Sequence, residues 1–375
     1  MKIFKEEGFR ISLLYFLITR IALIFISYFV IHEFAVHGLV KRSDYTFHDN
    51  DLLNIWGNFD TGWYLKISRE WYPNLDKSLS FSAPVTYSFF PLYPGLVYSL
   101  NFITGLNHFI IGLIISNICL LLSGWLLYKL SEKIYNKEIA KWSVIFMYVF
   151  PGSFILSGVF TESLYLFLVL CCFYFIINKK WFAAGATSFF LTLSRPIGVF
   201  VLIPFAYEYF KNIGFDFKKI SWSLISIIAI PAAIFILELN IVLCSGKEFS
   251  FSNFFGSGYK LSMKNPLANL YTWVSDPYFT QSFLGYYALI TIIFWMLFYK
   301  HINISMHIVM LYSIFIPMCY TLMSSPRMML AAFPLFIQIS SVAVKYRVQN
   351  ILLVLLTLFQ GYLFICWCLG FGNVI

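Results

Sequence analysis

An all-α polytopic membrane protein is the fold class this chain predicts, on three observations. Of its 375 residues, 60% are hydrophobic and 11% charged, and the mean hydropathy is +0.78. The apolar runs are continuous over about 18–25 residues, enough to cross a hydrocarbon core of about 30 Å as a helix, whereas barrel strands alternate over about ten. The Lys and Arg that give a net charge of +9 sit in short connections between these runs, the pattern of the positive-inside bias and not of a nucleic-acid surface. A soluble fold is thereby excluded, and one membrane domain over 1–375 with about ten to twelve transmembrane helices is expected.

The run from Ile11 to Ile31 follows Lys2, Lys5 and Arg10. It is too long for a signal-peptide core and lacks a small-residue cleavage site, so it reads as a retained first span with a cytoplasmic start. The longest polar segment comes next, over about 32–87. Within it Trp56, Phe59, Trp63 and Ile67 recur at helical spacing, which predicts an amphipathic helix on the membrane face with Asp60 beside its apolar stripe. Segment 88–104 is apolar but short and holds Pro91 and Pro94, so it reads as a juxtamembrane or re-entrant helix. Spans are expected over about 108–130, 140–158, 162–178, 181–193 with 196–210, 221–244, 282–299, 303–323, 327–344 and 350–371, with a second polar loop over about 245–281.

From 108 onward, basic residues occupy every second connection: Lys129, Lys133, Lys137 and Lys141; Lys179 and Lys180; Lys211, Lys218 and Lys219; Lys300; Lys345 and Arg347. These connections are assigned to the cytoplasm. Asp60, Glu162, Arg195, the 245–281 loop and Ser324-Ser325-Pro326-Arg327 then share the outer or luminal side. Seven cysteines lie in or beside apolar runs, none in the large polar loop, and read as packing residues. No His/Cys/Asp spacing suggests a metal, and no cofactor is expected.

Four residues are candidates for chemistry. Asp60 is a carboxylate among aromatics at the membrane surface: a solvated loop acid, or a catalytic group. Glu162 follows Thr161 at the start of an apolar run, where Thr161 caps the helix and Glu162 either compensates its dipole or binds substrate. Arg195 stands between two runs of only about 20 Å each, too short to span, so Ser194-Arg195-Pro196 would floor an outward depression. Its guanidinium and the helix start opened by Pro196 suit a phosphate; the alternative is an arginine that snorkels to the interface. Arg327 repeats the device, with Ser325 as N-cap and Pro326 in the first turn. Trp63 and Tyr64 are further candidates for stacking on a sugar.

Taken together, Asn58-Phe59-Asp60-Thr61-Gly62-Trp63-Tyr64-Leu65-Lys66-Ile67, Trp71-Tyr72, Phe89-Phe90-Pro91-Leu92-Tyr93-Pro94, Pro151-Gly152 and Phe160-Thr161-Glu162-Ser163-Leu164 occur in an order shared with a known family. Leu193-Ser194-Arg195-Pro196-Ile197-Gly198 and Pro326-Arg327 with Phe333-Pro334-Leu335-Phe336 continue it. The chain resembles the PIG-V-like mannosyltransferases, the GPI mannosyltransferase II group, although Phe59 stands where Trp is usual. The resemblance implies a GT-C-type glycosyltransferase fold that takes a hexose, mannose in this group, from a polyprenyl-phosphate (dolichyl- or undecaprenyl-phosphate) donor on the non-cytoplasmic side. The acceptor would be a lipid-linked or surface glycan. Asp60 would be the general base of an inverting transfer, Arg195 and Arg327 would hold the phosphate, and Glu162 would orient acceptor or base. The host membrane would be the plasma membrane of a prokaryote or the endoplasmic reticulum of a eukaryote. Two other classes stay open: a transporter or flippase of lipid-linked sugars, for which Glu238 is the clearest internal charge, and a non-catalytic subunit of a glycan-assembly complex.

Overall fold

The structure is a computed structural model that describes residues 5–36, 46–74, 83–245, 264–323 and 325–371. Parts of both expected outer loops, 37–45, 75–82 and 246–263, lie outside the described residues. Helices account for nearly all of the described regular structure, as expected of the class.

Helix α1 (Glu7–Val36) is long and apolar. It turns Ile21, Phe25 and Phe29 outward and buries Ser12, Thr19, Arg20 and Ser27 inward. Of the apolar stripe expected to form one amphipathic helix, only Trp63 and Ile67 are helical, on α3 (Thr61–Glu70), while Trp56 and Phe59 lie in the non-helical stretch between it and α2 (Asp51–Asn54). The cause is that its aromatics have different partners. Trp56 packs on Phe364, Phe59 on Trp367 and Trp63 on Phe89, and the chain bends between them, with Phe59 at φ 43°. Two bonds to one residue pin this bend: Trp367 donates its indole N–H to the Ile55 carbonyl (2.7 Å), and the buried Asn58 donates to the Trp367 carbonyl (3.3 Å).

After α4 (Ala83–Thr86), α5 (Leu92–Thr104) covers the 88–104 segment with 13 residues, about 20 Å and too short to cross. Tyr93 docks it by donating to the Gly112 carbonyl, while Phe102 on the other side is 81% exposed. Gly105, at φ 68°, closes the helix in the left-handed conformation.

Helix α6 (His108–Ile134) is the central element, packed against α1, α7 (Lys137–Val149) and α8 (Glu162–Ile177). The span expected over 140–158 ends early, because Pro151 and Gly152 (φ 90°) break it and the chain continues as a buried 3-10 turn, Ser153–Ser157. Then come α9 (Trp181–Ser194), a 3-10 segment Pro196–Val201 running into α10 (Leu202–Asn212), and a second, Trp222–Ile228, running into α11 (Ala229–Ser245). Next are α12 (Pro266–Val274), α13 (Phe279–Leu297) and α14 (Ile304–Met318). The expected 327–344 span is two pieces, α15 (Ser325–Met329) and α16 (Phe333–Tyr346), because Pro334 supplies no N–H and restricts Phe333 before it. Helix α17 (Gln349–Cys368) ends the described chain.

By length and composition, five described helical stretches can cross a membrane: Glu7–Phe34, α6, Trp222–Ser245, α13 and α17. The shorter apolar helices α8, α9 and α14 pack among them. All seven cysteines are free and buried or half-buried, as packing residues should be.

Charge divides the bundle into two ends. At one, Lys129 pairs with Glu6 and Lys137 with Glu7, Lys133 donates to Asn178, and Tyr135 donates to the His301 carbonyl. These contacts gather the lysine-bearing connections. At the other end lie Asp60, Glu162, Arg195 and Arg327.

Candidate active site

Four chain segments bring two carboxylates and two guanidiniums into direct contact. Arg327 donates from Nη1 to Asp60 Oδ2 at 2.7 Å and approaches Glu162 Oε1 with Nε at 2.8 Å. Arg195 Nη1 stands 2.7 Å from that same Glu162 oxygen. The array is neutral, two charges of each sign. Glu162 is fully buried and both arginine side chains are 7% exposed, whereas Asp60 is 23% exposed and forms the rim.

Local conformation explains how each side chain arrives. Asp60 occupies the N-cap of α3 but makes no cap hydrogen bond, forgoing about 1 kcal/mol that an Asp usually supplies there. Its carboxylate is turned to Arg327 instead. Thr161, expected to cap α8, makes no cap bond either; its hydroxyl is 3.2 Å from the Tyr64 hydroxyl. The following residue, Glu162, opens α8 and faces both arginines. Arg195 is extended between α9 and the 3-10 segment that Pro196 begins, as the short hairpin requires. Arg327 lies within α15, with Pro326 before it in the first turn; the side chain of Ser325, expected as the cap, lies outside the described residues.

Burial sets the energy scale. Each charge withdrawn from water costs several kcal/mol, which the array offsets by pairing every charge, so removing one member leaves its partner uncompensated at about 3–5 kcal/mol. Arg327 also stands over the Phe160 ring, 5.6 Å from its centre, and Arg195 spends Nη2 on the Met328 sulfur at 3.5 Å. A thioether is a weak acceptor, so that N–H is the donor most easily given to an incoming anion.

Of the six residues expected from sequence, Asp60, Glu162, Arg195 and Arg327 converge. Tyr64 is buried beside them, against Phe89, Tyr93 and Phe160. Trp63, half-buried, stacks on the same Phe89. The arginines do not stand empty, as their assignment to phosphate alone implied: carboxylates already hold them. Among the described residues no three His, Cys, Asp or Glu come together.

Sequence reasoning missed Phe160, Met328 and Arg20. Arg20 is buried in α1 and donates to Ser157 Oγ at 2.7 Å, tying down the turn that leads to Glu162. A lone arginine inside an apolar run was the available signal. Glu238 is buried on α11, and among the described residues neither of its oxygens has a hydrogen-bond partner.

No family model matches the chain, and no curated protein matches it in sequence. Among solved structures it is similar to ArnT from Cupriavidus metallidurans, determined bound to undecaprenyl phosphate, with a TM-score of 0.52 and 11% identity over 80% of this chain and 59% of that one. The chain thus spans less than two thirds of that relative's length. At this identity the likeness is one of fold: the chain shares the helical fold of that membrane protein, and its long apolar helices make it an integral, multi-pass membrane protein.

Proposed function

We propose that this chain is a membrane glycosyltransferase that moves a hexose, mannose by the motif resemblance, from a polyprenyl-phosphate donor to a lipid-linked or surface glycan on the non-cytoplasmic side. The observation that carries the reading is the buried Asp60–Arg327–Glu162–Arg195 array at one end of a GT-C-type fold. The fold's likeness to a protein determined with undecaprenyl phosphate supports a polyprenyl-phosphate ligand.

The array suits an inverting displacement. The acceptor hydroxyl attacks the anomeric carbon as its proton passes to Asp60, the glycosidic C–O bond to phosphate breaks, and polyprenyl phosphate leaves with the bonding pair. Arg195 and Arg327 would stabilise the charge growing on the departing phosphate. The ion pair between Arg327 and Asp60 adds a coupling. A donor phosphate that competes for Arg327 would loosen its hold on Asp60 and free the carboxylate to turn to the acceptor hydroxyl. Glu162 would keep both arginines aimed while the phosphate comes and goes.

The test is transfer by purified protein in proteoliposomes, with polyprenyl-phosphate mannose and polyprenyl-phosphate glucose as donors, alongside mass analysis of membrane glycolipids in cells with and without the protein. Transfer from one donor, abolished in Asp60→Asn, is the expected result. An unchanged glycolipid profile and no transfer from either donor would remove the assignment.

A further inference from the structure

Far from the acid–arginine array, the lysine-bearing end carries a groove of about 670 Å³ between α10 and the 3-10 segment Trp222–Ile228. Its walls are apolar. Ala206 and Phe210, four residues apart on α10, form one; Trp222, Ile225 and Ile228 stand along the other. A 3-10 helix eclipses side chains three residues apart, so these last three make one continuous ridge about 12 Å long at 2.0 Å per residue. All three are exposed, Trp222 by 87%.

The groove has a direction. One end is reached just after Phe210 and just before Ile220, where Lys211 follows the first and Lys218 and Lys219 precede the second. Lys211 is matched by Glu208 and Lys219 by Asp216, while Lys218 makes no ion pair among the described residues. Lys180 is next to Trp181, whose ring lies against Tyr209 on α10, behind the groove wall. The opposite end, at Ala206 and Ile228, is wholly apolar. The two walls are held in register at the charged end by the Ser221 amide, which donates to the Tyr209 hydroxyl at 3.1 Å, and by Phe210 against Phe217.

We infer that this groove binds one anionic phospholipid of the leaflet faced by the lysines, its acyl chain between the Phe210 and Ile225 walls and its phosphate on Lys218, with Trp222 at the interface. Charge complementarity selects the occupant. A net positive rim over an apolar slot attracts a lipid with an uncompensated phosphate, and an exposed tryptophan is at home between acyl chains and headgroups. The site is independent of the donor phosphate at the other end and serves to seat the α10–α11 hairpin in its leaflet.

The experiment is native mass spectrometry of full-length protein released from bilayers of equimolar phosphatidylglycerol and phosphatidylcholine. Wild type should retain phosphatidylglycerol over phosphatidylcholine by about fivefold, the effect of one lysine near an anionic lipid. Lys218→Glu should abolish that preference, and Ile225→Trp, which fills the slot without touching charge, should reduce retention of the lipid itself. Lys218→Gln serves as a milder substitution, checked by an unchanged gel-filtration profile. Equal retention of the two lipids by wild type, a preference that survives both Lys218 variants, or displacement of phosphatidylglycerol by added polyprenyl phosphate would each overturn the inference. Sugar transfer is read separately, so a failure here leaves the catalytic reading intact, and the reverse holds.

Discussion

The two ends of this bundle both concentrate charge, and they use it in opposite ways. At the lysine end the partners sit in water: Lys137 is 70% exposed beside Glu7, and Lys219 is 69% exposed beside Asp216. Such pairs contribute little to stability and are screened by salt. Their value lies in orienting the chain across the membrane. At the arginine end screening reaches only the Asp60 rim, because Glu162 is fully buried and both guanidiniums nearly so. Lysine, a strongly hydrated point charge, suits the first setting; arginine, planar and less hydrated, suits the second.

The contrast is sharpest at Asp60. We expect Asp60→Asn to lower sugar transfer by about 10²–10⁴ with the fold retained, as loss of a general base does, read as transfer rate in purified protein of unchanged expression. Activity near wild type would make Asp60 only a partner of Arg327. Next in size is stability. Glu162→Gln should destabilise by about 3–5 kcal/mol, since two buried arginines lose their shared anion, whereas Lys137→Gln at the other end should stay within about 0.5 kcal/mol. Thermal unfolding in detergent compares the two, and equal shifts would erase the distinction between the ends.

Coupling is a finer measure. Arg195→Lys and Arg327→Lys should each weaken use of the donor, because a point charge replaces a fork that spans two oxygens. The double variant should lose less than the sum of the single losses in free energy, since both arginines meet at one Glu162 oxygen. Additive losses would mean that they act on separate groups.

The smallest effect belongs to the lysine end. The Lys129 ammonium, with help from the Trp125 indole N–H, holds the Glu6 carboxyl below its ordinary range. A lowered folded pKa contributes stability above the unfolded value and loses it as pH falls through the folded one. Glu6→Gln should therefore lower stability slightly at neutral pH, where the charged carboxyl contributes, and leave it unchanged at acid pH, flattening the acid side of the profile. A loss at neutral pH as large as that of Glu162→Gln would contradict the comparison.

Much of this contrast was legible in the residues. Asp60, Glu162, Arg195 and Arg327 stand out because each interrupts or opens an apolar run, and the lysine alternation separates them from the basic connections. Their mutual contact was not legible, since Arg327 meets Asp60 across 267 residues and only packing decides which charges pair. The breaks at Gly152 and after Met329 were hidden by hydropathy that continues through them, although Pro151 and Pro334 were visible cues. The stripe from Trp56 to Ile67 had helical spacing but is helical only in its second half, because its rings are claimed by α17 on one side and Phe89 on the other. Periodicity reports that residues are buried, not by which neighbour.

The sharing of Glu162 between Arg195 and Arg327 also constrains how the protein is made. A ribosome delivers Glu162 and Arg195 close together, on helices that pack side by side, so the hairpin can enter the bilayer already charge-matched. Asp60 has no such early partner: it must remain at the water surface until Arg327 emerges much later in synthesis. A nascent chain cut short before α15 would then hold a neutral hairpin and one stranded carboxylate, and the helices that insert late would also be the ones that complete the acid–arginine array.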